Sequence, residues 1–113
     1  MNTWRDKEEF KQRVLEWAAR LKVQVRSLAV RQMRNKWASC STACNLNFNA
    51  ELIPMSKKIG DYVIVHELLH FSVPNDGRLW KILMRAHLGD YEVIEAQLKR
   101  IHPDGQAGDI LSE

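Results

Sequence analysis

The sequence predicts a single domain of the α+β class, built from an N-terminal helix, a small three-stranded sheet and three further helices. Three observations support this class. Apolar residues recur at helical spacing near the N-terminus, short stretches of alternating polarity follow them, and a nearly all-apolar helix lies in mid-chain. A chain of 113 residues fits one domain, because single domains commonly contain about 100–150 residues. Residues 1–113 are therefore expected to share one core.

The composition is that of a water-soluble protein. Apolar residues make up 45% of the chain and charged residues 27%, a balance typical of globular domains. The richest apolar stretch, residues 62–73, is interrupted by two histidines and a glutamate, which argues against a transmembrane helix. Residues 1–10 carry too much charge for a signal peptide. We therefore expect a cytoplasmic protein with no membrane partner.

The charge distribution leaves nucleic-acid binding as an alternative only. A net charge of +3 and a pI near 9.0 permit weak contact with nucleic acid. Lysine and arginine are interspersed with acidic residues, however, and no dedicated DNA-binding motif is visible. Charge therefore does not make nucleic acid the leading partner.

The first predicted element is an amphipathic helix over residues 4–21. Its apolar side chains recur at helical spacing, as Phe10 and Val14 do, with charged residues on the opposite side. Thr3 and Asp6 give a weak capping-box signal at its start. This pattern predicts a helix with one face against the core.

The next stretch predicts the sheet. Polarity alternates within residues 23–31, which indicates one strand with a bulge near Ser27, where the phase slips. Residues 36–41 and 45–49 are short, and the Ser, Thr and Asn residues where they meet favour a turn. These two segments are therefore expected to form a hairpin.

The remaining helices are separated by turns that contain proline or glycine. They are predicted at residues 57–71, 78–88 and 91–101. Ser56 can cap the first of them, and Pro74 makes its continuation unfavourable. Residues 102–113 have no periodicity and are expected to form a tail that is mobile or lies on the surface.

The strongest chemical signal is the motif His66-Glu67-Leu68-Leu69-His70, which has the HExxH pattern. Residues four apart share one face of an α-helix, with about 5–6 Å between their Cβ atoms, so His66 and His70 can bind one zinc ion. Glu67 flanks that ion without having to bind it. It can take a proton from zinc-bound water and pass it to the leaving amine. The motif therefore predicts a zinc-dependent hydrolase.

The alternative is that these three residues are ordinary core residues in a chance motif. Their helix is apolar nearly all round, so two histidines and a glutamate would be costly there without polar partners. A bound metal removes that cost in one step. Zinc binding is therefore the stronger interpretation.

Four segments resemble a known family. They are residues 31–41 (RQMRNKWASCS), 45–49 (NLNFN), 61–70 (DYVIVHELLH) and 74–80 (PNDGRLW). Over roughly residues 25–95 the chain resembles the YgjP-like metallopeptidases, and at this length the minigluzincins in particular. The resemblance implies a zincin-like fold, zinc as cofactor, and hydrolysis of peptides or unfolded proteins. It also implies that the strand at residues 37–41 lies along the rim of the cleft, where an extended substrate can pair with it.

The third zinc ligand is where the chain departs from the family pattern. The family typically has a histidine six residues after the second motif histidine, and Asp76 stands there. Aspartate is an acceptable zinc ligand, although Asp76 can also serve only to cap the helix that starts near Gly77. Glu95 is the alternative third ligand, because it lies on the predicted inward side of the last helix and gluzincins take a glutamate from a downstream helix. His87 is interpreted as a helix-end or core histidine.

Three functions remain open at this point. The leading one is a zinc metallopeptidase, and the resemblance further implies that residues 102–113 hold it latent, in a monomer or in a tail-exchanged dimer. The second is a nucleic-acid-associated protease of the distantly similar SprT-like kind. The third is a catalytically silent zinc-binding protein, since Asp76 can be a degenerate ligand.

Overall fold

The computed structural model describes residues 3–34, 36–41, 43, 45–72 and 77–101. The order of elements is α1 (Lys7–Leu21), β1 (Ser27–Arg31), β2 (Ala38–Cys40), β3 (Asn45–Asn49), a 3-10 turn (Ala50–Leu52), α2 (Lys57–Ser72), α3 (Arg78–Leu88) and α4 (Tyr91–Ile101). This arrangement confirms the predicted α+β class.

Helix α1 begins later than the sequence predicts. Its N-cap is Asp6, whose carboxylate accepts a hydrogen bond from the backbone N–H of Glu9 at 2.9 Å. The Glu9 carboxylate in turn accepts from the backbone N–H of Arg5 at 2.6 Å. Thr3, the predicted partner in the cap, instead forms an isolated bridge with Ser56. These two bonds fix the helix start, because they satisfy the backbone N–H groups of Glu9 and Arg5, which have no partner within the helix.

The sheet has the order β1-β3-β2, with β1 parallel to β3 and β2 antiparallel to β3. The predicted hairpin is confirmed, with Ala38 opposite Phe48 and Cys40 opposite Leu46. The predicted first strand is too long, since β1 starts at Ser27. The phase slip there marks the beginning of the strand and not a bulge within it.

Asn49 orders the connection that leads from β1 to β2. Its side chain is fully buried and donates to the carbonyl oxygens of Met33 and Lys36 at 3.3 and 2.9 Å. Its side-chain oxygen accepts from the backbone N–H of Glu51 and so caps the 3-10 turn. One buried amide therefore ties two loops to the end of β3.

Helix α2 is the centre of the molecule. Every residue from 62 to 70 is buried, and α1, α3, α4 and β2 all pack against this helix. The predicted Ser56 cap is present, with the Ser56 hydroxyl accepting from the backbone N–H of Ile59 at 3.4 Å. A helix that is apolar on all sides is expected to lie inside a domain, as α2 does.

Two contacts fix the N-terminal part of α2 against the N-terminal segment. Asp61 accepts two hydrogen bonds from the Arg13 guanidinium at 2.7 and 2.9 Å and a third from the Trp17 indole at 2.9 Å. One residue earlier, the Trp4 ring lies so close to Gly60 that a Cβ there would be 2.5 Å from Cζ2 of the indole. Helix α2 is thus held in place before the chain reaches its histidines.

Helices α3 and α4 have the predicted bounds. Trp80 and Met84 are buried on the inner side of α3, and Tyr91 and Leu98 on that of α4. Among the helices of the described residues, none is long and apolar enough to cross a membrane.

Candidate active site

The three residues of the HExxH motif lie on α2, inside the molecule. His66 is 1% exposed, Glu67 0% and His70 9%. The two histidines are one helical turn apart and therefore share a face of the helix. The sequence prediction is confirmed in this respect: the motif lies on a helix, and that helix is buried.

The two imidazole rings are close enough to bind one ion. Their centroids are 4.9 Å apart, and their planes are inclined by 68°. Two imidazoles that bind one zinc ion, each at about 2.0–2.1 Å, have ring centres about 5 Å apart. The spacing of the rings therefore fits a shared metal.

Burial also sets the protonation of the site. Burial and, to a smaller extent, the neighbouring His70 together lower the pKa of His66 from 6.5 to about 3. His66 is thus a neutral imidazole over the physiological pH range, and the neutral form is the one that binds metals. Its Nδ1 atom is buried and has no hydrogen-bond partner among the described residues. A buried polar atom of this kind is costly unless a partner arrives, so the residue fits a metal ligand.

Two aromatic side chains contact His66, and a third, from α4, packs on both of them. The Trp80 ring is 4.8 Å from the His66 ring and 5.8 Å from the His70 ring. Tyr62, one turn before His66 on α2, lies 5.5 Å from its ring, and Tyr91 stacks on Tyr62 at 6.2 Å. The sequence prediction did not assign these aromatic residues to the site. Helical spacing marks Trp80 and Tyr91 as inward-facing, but it cannot tell which side chains they contact.

Glu95 lies half-buried on α4, on the side that the sequence predicts. The Tyr62 hydroxyl donates a hydrogen bond to its Oε2 atom at 3.3 Å. Glu92 is exposed and accepts from Arg85 at 3.0 Å, and His87 is half-buried with its ring 5.9 Å from that of Trp17. Glu95 is thus one residue removed from His66, through Tyr62.

The third ligand is not identified within the described part of the chain. Among those residues, no group of three His, Cys, Asp or Glu side chains is arranged to hold a metal ion. Glu95 is therefore not gathered with His66 and His70 in this conformation. Asp76, the first choice from the sequence, and the tail at 102–113 lie outside the described residues. Both assignments stay predictions.

The comparisons with known proteins give the class of the chain and then its family. A family model described as the YgjP-like metallopeptidase domain matches residues 3–101. In class the chain is therefore a metallopeptidase domain. It belongs to the YgjP-like family, as its motifs predict.

Two solved structures are similar to the chain. The metallopeptidase zymogen jannalysin of Methanocaldococcus jannaschii is 26% identical, with a TM-score of 0.69 over 83% of this chain and 95% of jannalysin. The metallopeptidase zymogen abylysin of Pyrococcus abyssi is 12% identical, with a TM-score of 0.71 over 86% of this chain and 98% of abylysin. At 12% identity the likeness concerns the fold alone. No curated protein sequence matches the chain significantly.

Proposed function

We propose that this chain is a zinc-dependent metallopeptidase in which His66 and His70 hold the metal and Glu67 is the general base. The observation that carries the proposal is the pair of buried imidazoles, 4.9 Å apart on α2, with Glu67 directly after the first of them. Family membership supplies the reaction class, since the matched model is that of a metallopeptidase domain.

Each of the three motif residues has one role in peptide hydrolysis. When zinc is bound, it supplies a Lewis acid and lowers the pKa of water at the site. Glu67 accepts the proton of the attacking water and then donates it to the nitrogen of the leaving group. Burial keeps His66 neutral, with its pKa lowered to about 3, so that protons do not compete for the metal-binding nitrogen near neutral pH.

Asp76 is the proposed third ligand. It is bonded directly to Gly77, the N-cap of α3, and Trp80 in the first turn of that helix lies against both imidazoles. The beginning of α3 is thus held beside the histidines, which favours a ligand from the residue that precedes it. Glu95 is the alternative, supported by its hydrogen bond with Tyr62, whose ring contacts His66.

The proposed substrate is an extended peptide or an unfolded protein. Strand β2 is at one edge of the sheet and packs against α2, so a peptide backbone can add to it as a further strand. Such pairing uses main-chain hydrogen bonds, and it therefore selects for unfolded chains more than for a particular sequence.

Zinc stoichiometry and peptide cleavage test this proposal together. We expect one zinc per chain in the wild type, a metal-free His66→Ala variant, and a Glu67→Gln variant that keeps zinc but loses at least about a hundredfold in cleavage of an unfolded protein. Asp76→Ala and Glu95→Ala, compared side by side, identify the third ligand by which of them loses zinc. If the wild type binds zinc but cleaves no substrate, with or without residues 102–113, the protein is instead a catalytically silent zinc-binding protein.

We further propose that residues 102–113 hold the enzyme latent. The support is that the 26% identical jannalysin structure is described as a zymogen, and that Ile110 and Leu111 are apolar residues in an otherwise polar tail. A chain that ends at Ile101 should cleave faster than the full chain, and Ile110→Asp with Leu111→Asp should have the same effect without truncation. Equal cleavage rates for the full chain, the truncated chain and the double variant would contradict latency.

A cytoplasmic location and the SprT-like, nucleic-acid-associated alternative stay predictions.

A further inference from the structure

Trp80 contacts both histidines of the motif. It lies in the first turn of α3 and is 3% exposed. Its ring stands edge-on to His66, at 4.8 Å and 79°, and is nearly parallel to His70, at 5.8 Å and 24°. A side chain from another helix is therefore packed against both proposed ligands at once.

The same ring closes a circuit of four aromatic side chains. Trp80 is 6.1 Å from Tyr91 on α4, Tyr91 stacks on Tyr62 of α2 at 6.2 Å, and Tyr62 lies 5.5 Å from His66. All four rings are buried. Close-packed interiors leave side chains few alternative rotamers. The Trp80 ring on α3, which contacts rings of both α2 and α4, therefore has little freedom to rotate.

Trp80 contacts the two histidines through its ring and not through its indole N–H. Its Nε1 atom is buried and has no hydrogen-bond acceptor among the described residues. A phenyl ring in the same place, although smaller, would therefore keep an aromatic face against the imidazoles and lose no described hydrogen bond. A substitution of Trp80 by phenylalanine therefore tests the aromatic ring separately from the indole N–H.

We propose that Trp80 is a positioning residue for the metal site, whose indole holds His66 and His70 in the convergent orientation that a divalent cation requires. The inference rests on the proposed function, in which these two histidines hold zinc. Without the indole, each imidazole regains rotamers that point away from the ion, and binding must then order both rings. Trp80 thus raises the affinity for the metal and restricts the directions from which the two imidazoles can bind it, without touching the metal.

The test measures zinc affinity by competition with a chromophoric chelator, and the visible absorption spectrum of the cobalt-loaded protein. We expect Trp80→Leu to weaken zinc binding about tenfold or more, as the loss of groups that orient metal ligands commonly does, and to change the cobalt spectrum. Trp80→Phe should stay close to the wild type in both. Trp80→Met, which also lacks a planar ring, replaces the leucine variant if that variant does not fold.

Two residues of the same helix provide matched controls. Met84, one turn further on, is fully buried, so Met84→Ala should lose thermal stability while it keeps the zinc affinity and cobalt spectrum of the wild type. Leu79, next to Trp80, is 58% exposed, and Leu79→Ala should change neither.

The outcomes separate this inference from the proposed function. Wild-type affinity and spectrum in the leucine or methionine variant would overturn the role of Trp80, and so would an equal loss of affinity in Met84→Ala. A wild-type chain without bound zinc, or undiminished zinc binding in His66→Ala, would overturn the proposed metal site itself.

Discussion

Burial gives His66 an acid–base behaviour that links the stability of the metal-free protein to pH. An unfolded chain takes up a proton at this histidine below about pH 6.5, whereas in the fold its pKa is about 3. Between these values the unfolded state binds more protons, so the free energy of unfolding should rise with pH across this window. The contribution of His66 is fully present above pH 6.5 and is lost as the pH falls towards 3.

Urea titrations of chelator-treated protein from pH 4 to 7 measure this dependence. We expect the wild type to lose a few kcal/mol more than His66→Gln over the range, since each unit of pKa shift corresponds to about 1.4 kcal/mol. The same pH dependence in both proteins would show that His66 takes up its proton in the fold as readily as in the unfolded chain.

The carboxylate of Asp61 on α2 accepts hydrogen bonds from Arg13 and Trp17 on α1 and so links the two helices. Its bonds with Arg13 raise the pKa of that guanidinium, because the hydrogen bonds favour its charged form. Asp61→Asn turns one acceptor towards Arg13 into a donor and should cost about 1–3 kcal/mol of unfolding free energy. Glu16, an exposed partner of the same arginine at 3.8 Å, is the control. Glu16→Gln should change stability by no more than about 0.5 kcal/mol.

The proximity of His66 and His70 could be predicted from the sequence, because residues four apart always share one face of an α-helix. His66 and His70 converge in the fold as that spacing requires. Tyr62, four residues before His66 on α2, has the spacing that predicts its ring contact with His66, although the sequence prediction did not use it. Trp80 could not be assigned in this way, because its contacts depend on how α3 packs on α2, and periodicity gives only the inward side of a helix. The contact between Tyr62 and Glu95, which lie 33 residues apart, is non-local for the same reason.

At the scale of elements, Gly60 lets the N-terminal segment lie against α2. Glycine-to-alanine changes inside helices ordinarily stabilise by about 0.5–1 kcal/mol, but a Cβ here would clash with the Trp4 indole. That ring also packs edge-to-face on Phe10, with centroids 4.9 Å apart, so it cannot easily move aside. Gly60→Ala should therefore lose about 1–3 kcal/mol of unfolding free energy, as overpacking in a core does.

The double variant with Trp4→Leu is the control for this clash. Once the indole is removed, the alanine at position 60 should be neutral or stabilising relative to Trp4→Leu alone. An equal loss in both backgrounds would mean that the cost of the alanine arises elsewhere.

Element boundaries were predictable where the chain has a strong stop signal. Helices α3 and α4 have their predicted bounds because Gly89 and Asp90 separate them. Helix α1 was placed too early, since the hydrogen bonds that the Asp6 carboxylate accepts from the Glu9 N–H and the Glu9 carboxylate from the Arg5 N–H outweigh the cap that Thr3 offered. Residues 23–26 alternate in polarity as a strand does, yet the ladder with β3 begins only at Ser27. Strand pairing is a tertiary contact, and alternation alone does not supply the partner.

At the scale of the whole molecule, metal binding and stability should be coupled. A ligand that binds only the folded chain stabilises it by about 2.7 kcal/mol at a hundred times its Kd. For a domain near this size, that corresponds to a rise in Tm of about 10 °C or more. Thermal scans with and without zinc should show this rise in the wild type and not in His66→Ala. A rise of equal size in both would place the zinc away from the motif.

The ring circuit around His66 also has a consequence for the timing of synthesis. Its members come from α2, α3 and α4, so Trp80 and Tyr91 are both made after the motif at residues 66–70. The N-terminal part of a nascent protein leaves the ribosome first, so α1 and the sheet emerge before the Trp80 ring that packs against His66 and the Tyr91 ring that packs against Trp80. A chain made only as far as the end of α2 thus carries the motif without the helices α3 and α4 that pack against α2.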